Sequence, residues 1–383
     1  MYLASPLATS LTNITCSRKN KMVGQPITRS DCINWPVRSM TFWKRIAKRD
    51  ERSACAFFSL LLVLAADYSL AQQTTIRSQA NVVLIPALVE DAHGEIVSGL
   101  EAKDFIVEDD GIDQPVRLDE APEGQPISLV VAVQVGRRAD FELPRMRGLS
   151  TMLDPVIEQR GSKIALLTFD SKVHSLETFT SDDATIARDL ANLEPGDGGA
   201  AVLDAIHDAV KLLDSTPQNR KRVLLLISET RDHGSQSATI DDVIKGIGNS
   251  NTMVYALAFS PSKSNLLDTL RGNNNWDLHP EQSEMKPNPD LLAPFVLAVQ
   301  AMRKNVPSTV ASMTGGEYEL FSTRNRFDAR LTDFTNHIHS RYLLSIAPKN
   351  PHAGLHRLSV RLKEPGKNSV LARTSYWAEE GVQ

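Results

Sequence analysis

Between residues 127 and 318 the chain alternates short apolar runs with segments whose apolar residues recur at helical spacing. The run Ile127-Ser-Leu-Val-Val-Ala-Val133 is compact and rich in β-branched residues. It predicts the central strand of a parallel sheet covered on both faces. Lys163–Phe169, Arg222–Ser228 and Met253–Phe259 predict further strands, with Val173–Phe179 as an edge partner of the first of these. Three helix faces lie between them: Met146, Leu149, Leu153 and Val156; Val202, Ala205, Ile206, Ala209, Val210 and Leu213; Ile240, Val243, Ile244 and Ile247. Strands alternating with helices predict right-handed crossovers and a doubly wound, mostly parallel α/β sheet over residues 125–340. Residues 260–290, punctuated by Asn273-Asn-Asn275 and Lys286-Pro-Asn-Pro289, predict a surface insertion, followed by a helix from about Leu291 to Arg303. Thr314-Gly-Gly316 predicts a glycine-capped helix end leading into a short strand, and Phe327, Leu331, Phe334 and Ile338 a final helix.

The flanks have a different texture. Asn81–Val89, Asp104–Asp109 and Gln114–Leu118 read as strands over residues 79–120, with Asp110-Gly111 as a hairpin turn. After the last helix, Arg341–Ile346, Leu355–Leu362 and Val370–Trp377 read as three more over residues 341–378. Two three-strand sets are individually marginal. Packed together they predict a small β-sandwich into which the α/β region is inserted.

Upstream of these elements lies a segment that is not fold. Residues Trp43–Arg52 are basic, Ala54–Ala66 are apolar, and Ser69-Leu-Ala71 ends in small residues. That order predicts a signal peptide over residues 40–71, cleaved after Ala71, and a secreted or periplasmic mature protein. The apolar stretch is short of the roughly 20 residues of a membrane span, so an uncleaved anchor is the lesser reading and the only membrane contact expected. Residues 1–39 precede the usual layout, and Met40 as the natural start would make them a gene-start error. The three cysteines, Cys16, Cys32 and Cys55, all fall before the expected cleavage. Thiol catalysis, thiolate metal sites and disulfides are therefore excluded for the mature chain. Over 383 residues the formal net charge is −4, and the folded part has no basic run interleaved with aromatics, so nucleic-acid binding is not expected.

Ligands of an open α/β sheet bind at the carboxyl ends of its strands. After the first strand that loop is Gln134-Val-Gly136-Arg137-Arg138, without a carboxylate or hydroxyl. Elsewhere the chemistry is thin. Asp204 and His207 are spaced to meet on one helix face, but no nucleophile accompanies them, which favours a packing pair. His337 and His339 fall on different sides of a helix. Asp197-Gly-Gly199 lacks the lysine and spacing of a phosphate loop, and no Gly-x-Ser-x-Gly elbow is present. No catalytic residue is assigned.

The α/β segment resembles a von Willebrand factor type A domain. Its flanks resemble those of exported VWFA-related proteins of the acidobacterial type: Gly99-Leu-Glu-Ala-Lys-Asp-Phe105 and Glu108-Asp-Asp-Gly111 before it, Tyr342-Leu-Leu344 and Ala372-Arg-Thr-Ser-Tyr-Trp-Ala378 after it. The resemblance implies a divalent cation, Mg²⁺ in relatives, held by Asp-x-Ser-x-Ser after the first strand, a Thr in a second loop and an Asp after a third strand. Here Gln134, Gly136 and Arg138 stand at the first three of those positions and Ala200 at the fourth. Glu229 stands at the fifth, with Asp232 close by. The expectation is a degenerate site with no metal or other cofactor. One of Arg137 and Arg138 would take the cation's place against Glu229 or Asp232, or both would simply face solvent. The function implied is non-enzymatic binding of a protein partner, through an acidic side chain of that partner. A structural envelope role, or a hydrolase built on the Glu229/Asp232/His233 loop, is the alternative.

Overall fold

The computed structural model describes residues 82–119, 124–137, 139, 142–146, 148–259, 293–349 and 352–379. The expected N-terminal extension, signal peptide and surface insertion lie outside the described residues, as does Arg138.

Four strands come first: β1 (Val83–Glu90), β2 (Phe105–Asp109), β3 (Ile112–Gln114) and β4 (Val116–Asp119). The α/β part follows, as β5 (Ile127–Gln134), α1 (Leu149–Ile157), β6 (Lys163–Phe169), β7 (Val173–Thr180), α2 (Asp183–Ala191) and α3 (Val202–Asp214). It continues through β8 (Lys221–Ser228), α4 (Ile240–Asn249), β9 (Thr252–Phe259), α5 (Ala293–Lys304), α6 (Val306–Thr314), β10 (Tyr318–Phe321) and α7 (Arg324–His337). The chain closes with β11 (Tyr342–Ile346), β12 (Gly354–Leu362), β13 (Ser369–Ala372) and β14 (Ser375–Ala378).

Strands β5 to β10 form one six-stranded sheet in the order β10-β9-β8-β5-β6-β7. Every pairing is parallel except that of β6 with the edge strand β7. All eight residues of β5 are buried. They divide by alternation: Val130 and Ala132 pack on the face covered by α3, α4 and α6, while Ile127, Leu129, Val131 and Val133 pack on the face covered by α1 and α7. A period of two with both sets apolar is what a strand covered on both sides requires. β8 and β9 repeat the division. Helix α6 ends at Gly315, whose φ of 77° suits a residue without a Cβ. Its neighbour Gly316 lies against Val254 so closely that a Cβ would sit 1.9 Å from that residue's carbonyl oxygen. This contact fixes α6 on the start of β9.

Two helices escape the hydrophobic pattern. Helix α2 buries only Ile186, and it starts because the Asp182 carboxylate accepts the N–H groups of Ala184 and Thr185. Helix α6 is separate from α5 because Asn305 leaves helical backbone and caps it through the N–H of Ser308.

The outer strands make two four-stranded sheets, β13-β1-β11-β4 and β14-β12-β2-β3, each drawing on both ends of the chain. Ile85 and Val89 of one sheet and Phe105, Val107 and Leu358 of the other belong to a single buried cluster. Here two expectations need correction. Gln114–Leu118 is not one strand: Gln114 ends β3, Val116 begins β4 in the other sheet, and Pro115 between them has no N–H to continue a ladder. Val370–Trp377 also divides, into β13 and β14 in different sheets. The break falls at Arg373, whose side chain turns inward. Its guanidinium donates to the carbonyls of Ser375 (2.7 Å) and Gly248 (2.6 Å). Among the described residues no helix is long and apolar enough to cross a membrane.

At the end of α7, His337 donates from Nδ1 to the Glu317 carboxylate at 3.0 Å, with Glu90 at 3.9 Å. The hydrogen bond to Glu317 raises the His337 pKa above its ordinary value, against the effect of burial. A raised folded-state pKa adds stability that is fully present below the ordinary histidine value of about 6.5 and disappears as pH rises through the raised one. His337→Gln is therefore expected to cost about 1 kcal/mol at pH 5.5 and progressively less toward alkaline pH. Urea titrations of both proteins across that range measure this.

Candidate functional site

The order of the chain through the sheet creates one opening. From β5 the chain moves to β6 and β7 on one side, then crosses to β8 on the other. The connections therefore part between the carboxyl ends of β5 and β8, where an open α/β sheet leaves a crevice. Gln134 closes β5 and Glu229 follows β8 at that point.

The two side chains meet although they are far apart in sequence. Gln134 accepts the Glu229 backbone N–H on Oε1 at 2.7 Å and donates from Nε2 to the Glu229 carboxylate at 3.2 Å. The same Nε2 lies 3.2 Å from the Gly136 carbonyl. Both residues are buried, at 0% and 1% exposure. Arg137 completes the group by donating from Nε to Glu229 Oε1 at 3.2 Å. It reaches there from a left-handed backbone, φ 56°, and its side chain remains 32% exposed. The buried carboxylate is thus paired with a cation and hydrogen-bonded to an amide, the two conditions under which a buried charge is tolerated. His233 approaches from the other side, its Nε2 3.9 Å from Glu229 Oε2.

Backbone packs on backbone around this group. A Cβ on Gly136 would lie 2.1 Å from the Gly199 carbonyl oxygen and 2.7 Å from Asp170 Cβ. The Arg137 N–H donates to the Asp197 carbonyl (2.7 Å), and the Gly196 N–H to that of Val135 (2.8 Å). Two acids knit these loops: Asp170, which the sequence did not mark, and Asp197, noted there only as part of Asp197-Gly-Gly199. Asp170 takes the N–H groups of Lys172 (3.0 Å) and Asp197 (3.2 Å), and Asp197 takes those of Ser171 (2.9 Å) and Gly199 (2.7 Å). Burial works to raise the Asp170 pKa, but those N–H donors hold it below the ordinary value. The Ser171 hydroxyl does the same for Asp197. Asp197-Gly-Gly199 thus turns its Gly199 N–H to its own carboxylate, an arrangement that leaves that donor unavailable to a phosphate.

The remaining expected residues sit apart from the central group. Ala200 exchanges two backbone hydrogen bonds of 2.8 Å with His233, tying the second loop to the third. Asp232 accepts the Leu203 N–H (3.1 Å) and the Ser235 N–H (3.3 Å), so it caps α3 from outside the helix. Asp204 does not pair with His207. It is buried and accepts the N–H groups of Gln236, Ser237 and Ala238 at 2.7–3.0 Å, while His207 lies 3.2 Å from Asp208. Helix spacing showed which face Asp204 occupied; the loop that packs there was not visible from it.

Residues 137–234 match the family model described as the von Willebrand factor type A domain. The resemblance read from the sequence holds at that level. Among curated proteins none matches the chain. Similar solved structures include the conserved hypothetical protein BatB from Bacteroides thetaiotaomicron, 13% identical over 55% of this chain and 98% of that one, with a TM-score of 0.37. The vWF domain of the type V pili tip protein Mfa5 from Porphyromonas gingivalis is 9% identical over 56% of this chain and 95% of that one, TM-score 0.38. A von Willebrand factor type A protein from Catenulispora acidiphila is 9% identical over 79% and 76%, TM-score 0.40.

Two substitutions probe the group. Gly136→Ser forces an atom against the Gly199 carbonyl and is expected to destabilise the fold by about 3 kcal/mol or more. Arg137→Met strands the Glu229 carboxylate; because the guanidinium is partly solvated, about 1–2 kcal/mol is expected rather than the full cost of breaking a buried pair. Chemical denaturation at pH 7 measures both.

Proposed function

We propose that this chain, with its von Willebrand factor type A match, is an exported protein that binds a protein partner. Contact is through the crevice at the carboxyl ends of β5 and β8, without catalysis and without a bound metal ion. The two four-stranded sheets would serve as its β-sandwich base. The observation that carries the reading is the closed Gln134–Glu229–Arg137 group, which presents a partly exposed guanidinium at the switch point.

The donor set argues against Mg²⁺. That ion needs hard oxygen ligands in a near-ideal octahedron. Gln134 directs its amide nitrogen, not an oxygen, at Glu229 Oε1, and the Arg137 guanidinium already engages the same atom. Gly136 has no room for a hydroxyl-bearing side chain, and Ala200 has no hydroxyl. A cation entering here would meet a cation. Arg137 instead supplies the positive charge, and a planar guanidinium suits a partner's carboxylate. The hydrolase reading has less support: Asp232 is taken up in capping α3, and Glu229 lies beneath Gln134 and Arg137. A purely structural role would leave partner binding indifferent to substitution of Arg137, whatever the substitution does to stability.

Crosslinking and capture from the native envelope distinguish these readings. The same partner should be recovered with excess Mg²⁺ or with EDTA, and Arg137→Glu should lower recovery about tenfold through charge repulsion. Recovery abolished by EDTA would restore a metal-dependent site. Recovery insensitive to Arg137→Glu would remove the crevice from the interface.

A further inference from the structure

A second cavity lies at the opposite ends of the same strands. It has a volume of about 260 Å³ and is bounded by the start of β8, the end of α7, the lead into β11 and the β13–β14 junction. Five cations line it, Arg220, Lys221, Arg222, Arg341 and Arg373, and among the described residues no carboxylate does. Three are consecutive, Arg220-Lys221-Arg222, and Arg341 and Arg373 join them from two distant stretches of chain.

Two of the five are neutralised from outside the cavity. Arg222 pairs with Asp214 at 3.0 Å, and Arg341 pairs with Glu317. The other three have no carboxylate partner among the described residues. Arg220 donates to the Ser128 hydroxyl (2.6 Å) and the Ile127 carbonyl (2.7 Å). Lys221 has one long contact, 3.5 Å to the Ile338 carbonyl. Arg373 is 4% exposed and bonded to backbone carbonyls, with its Nη1 no closer than 3.4 Å to an acceptor. Arg222 adds a buried Nε with no hydrogen-bond partner among the described residues. Burial and the neighbouring Arg341 charge hold the Lys221 pKa below its ordinary value, as befits an ammonium whose positive surroundings are not offset. Arg373 is buried and Arg220 and Lys221 are half-buried; desolvated cations without counter-charge are costly, and a bound anion offsets that cost.

We propose that this cavity binds a small phosphate-class oxyanion, held by Lys221, Arg220 and Arg373 where the six-stranded sheet meets β1 and β11. Guanidinium and ammonium groups converging from several sides suit tetrahedral oxyanions, which accept several charge-assisted hydrogen bonds at once. The site is separate from the Gln134–Glu229–Arg137 crevice: Lys221 opens the eight-residue β8 and Glu229 follows its last residue, roughly 26 Å away along extended strand. It does not depend on what that crevice binds. Because its residues belong to both the α/β part and the flanking strands, occupancy would brace one against the other.

The test uses the full chain and inorganic phosphate, titrated at constant ionic strength with chloride as the balance. Isothermal titration should show one saturable site. Thermal unfolding at a hundredfold excess over Kd should rise by about 5 °C, a rise that equal chloride does not produce. Lys221→Met and Arg220→Met should each weaken binding at least tenfold, and Lys211→Met, on the exposed side of α3, should leave it unchanged. Lys221→Met removes an uncompensated charge and is expected to unfold at the same or a higher temperature without phosphate, so lost binding in it is not lost folding. Absence of a saturable heat in the wild-type chain, or equal affinity in Lys221→Met and Lys211→Met, would overturn the proposal.

Discussion

Arg373 sits where three parts of the molecule converge, buried, with its guanidinium donating to the carbonyls of Gly248 at the end of α4, Ser375 at the start of β14 and, more weakly, Leu84 in β1. Burial pulls its pKa down to about 10, so it stays charged at neutral pH. Carbonyl oxygens at a helix end carry partial negative charge, and a cation there satisfies acceptors that the helix leaves over. This one side chain explains why β13 and β14 part company: to reach inward, the backbone must leave one sheet and enter the other. It also holds the seam between the α/β part and the outer strands. The same seam is tightened where Gly248 admits Trp377, whose Cβ would lie 2.7 Å from a Cβ on that glycine.

At the other end of the sheet the governing constraint is close backbone approach. Gly136, Gly196 and Gly199 let the loops after β5 and before α3 touch the turn after β6, and the Asp170 and Asp197 carboxylates take up the N–H groups turned inward there. Side chains have little room within these loops. What reaches the crevice is the small set that the strand ends project: Gln134, Glu229 and, from a left-handed residue, Arg137. Residues 137–234, which match the von Willebrand factor type A model, supply Arg137 and Glu229 to this group. Hydrogen bonds and an ion pair satisfy the buried carboxylate within the chain itself.

The two ends of β8 therefore carry opposite arrangements. At its carboxyl end a single buried carboxylate is matched by one amide and one guanidinium. At its amino end cations outnumber the carboxylates that face them. The formal net charge of −4 conceals this contrast, because the positive residues of the cavity are distributed over three regions of sequence.

The sequence by itself determined the elements. β5, β8 and β9 were legible because the middle of a strand buried on both faces is an uninterrupted apolar run, and α3, α4 and α7 because one apolar stripe recurs every 3.6 residues. Gly315 was legible as a helix cap because left-handed backbone favours glycine. The residues at the crevice were also legible as positions, from the ends of those strands and from the family resemblance. Tertiary structure alone decided the rest. Pro115 and Arg373 send adjacent residues into different sheets, which depends on partners contributed by the opposite end of the chain. α2 stands on a cap and one buried isoleucine, too weak a stripe to read. That Arg137 meets Glu229, what Asp204 and Asp232 hold, and which cations share a cavity are matters of distance between remote segments. Local periodicity records whether a side chain is buried; it carries no information about what is buried beside it.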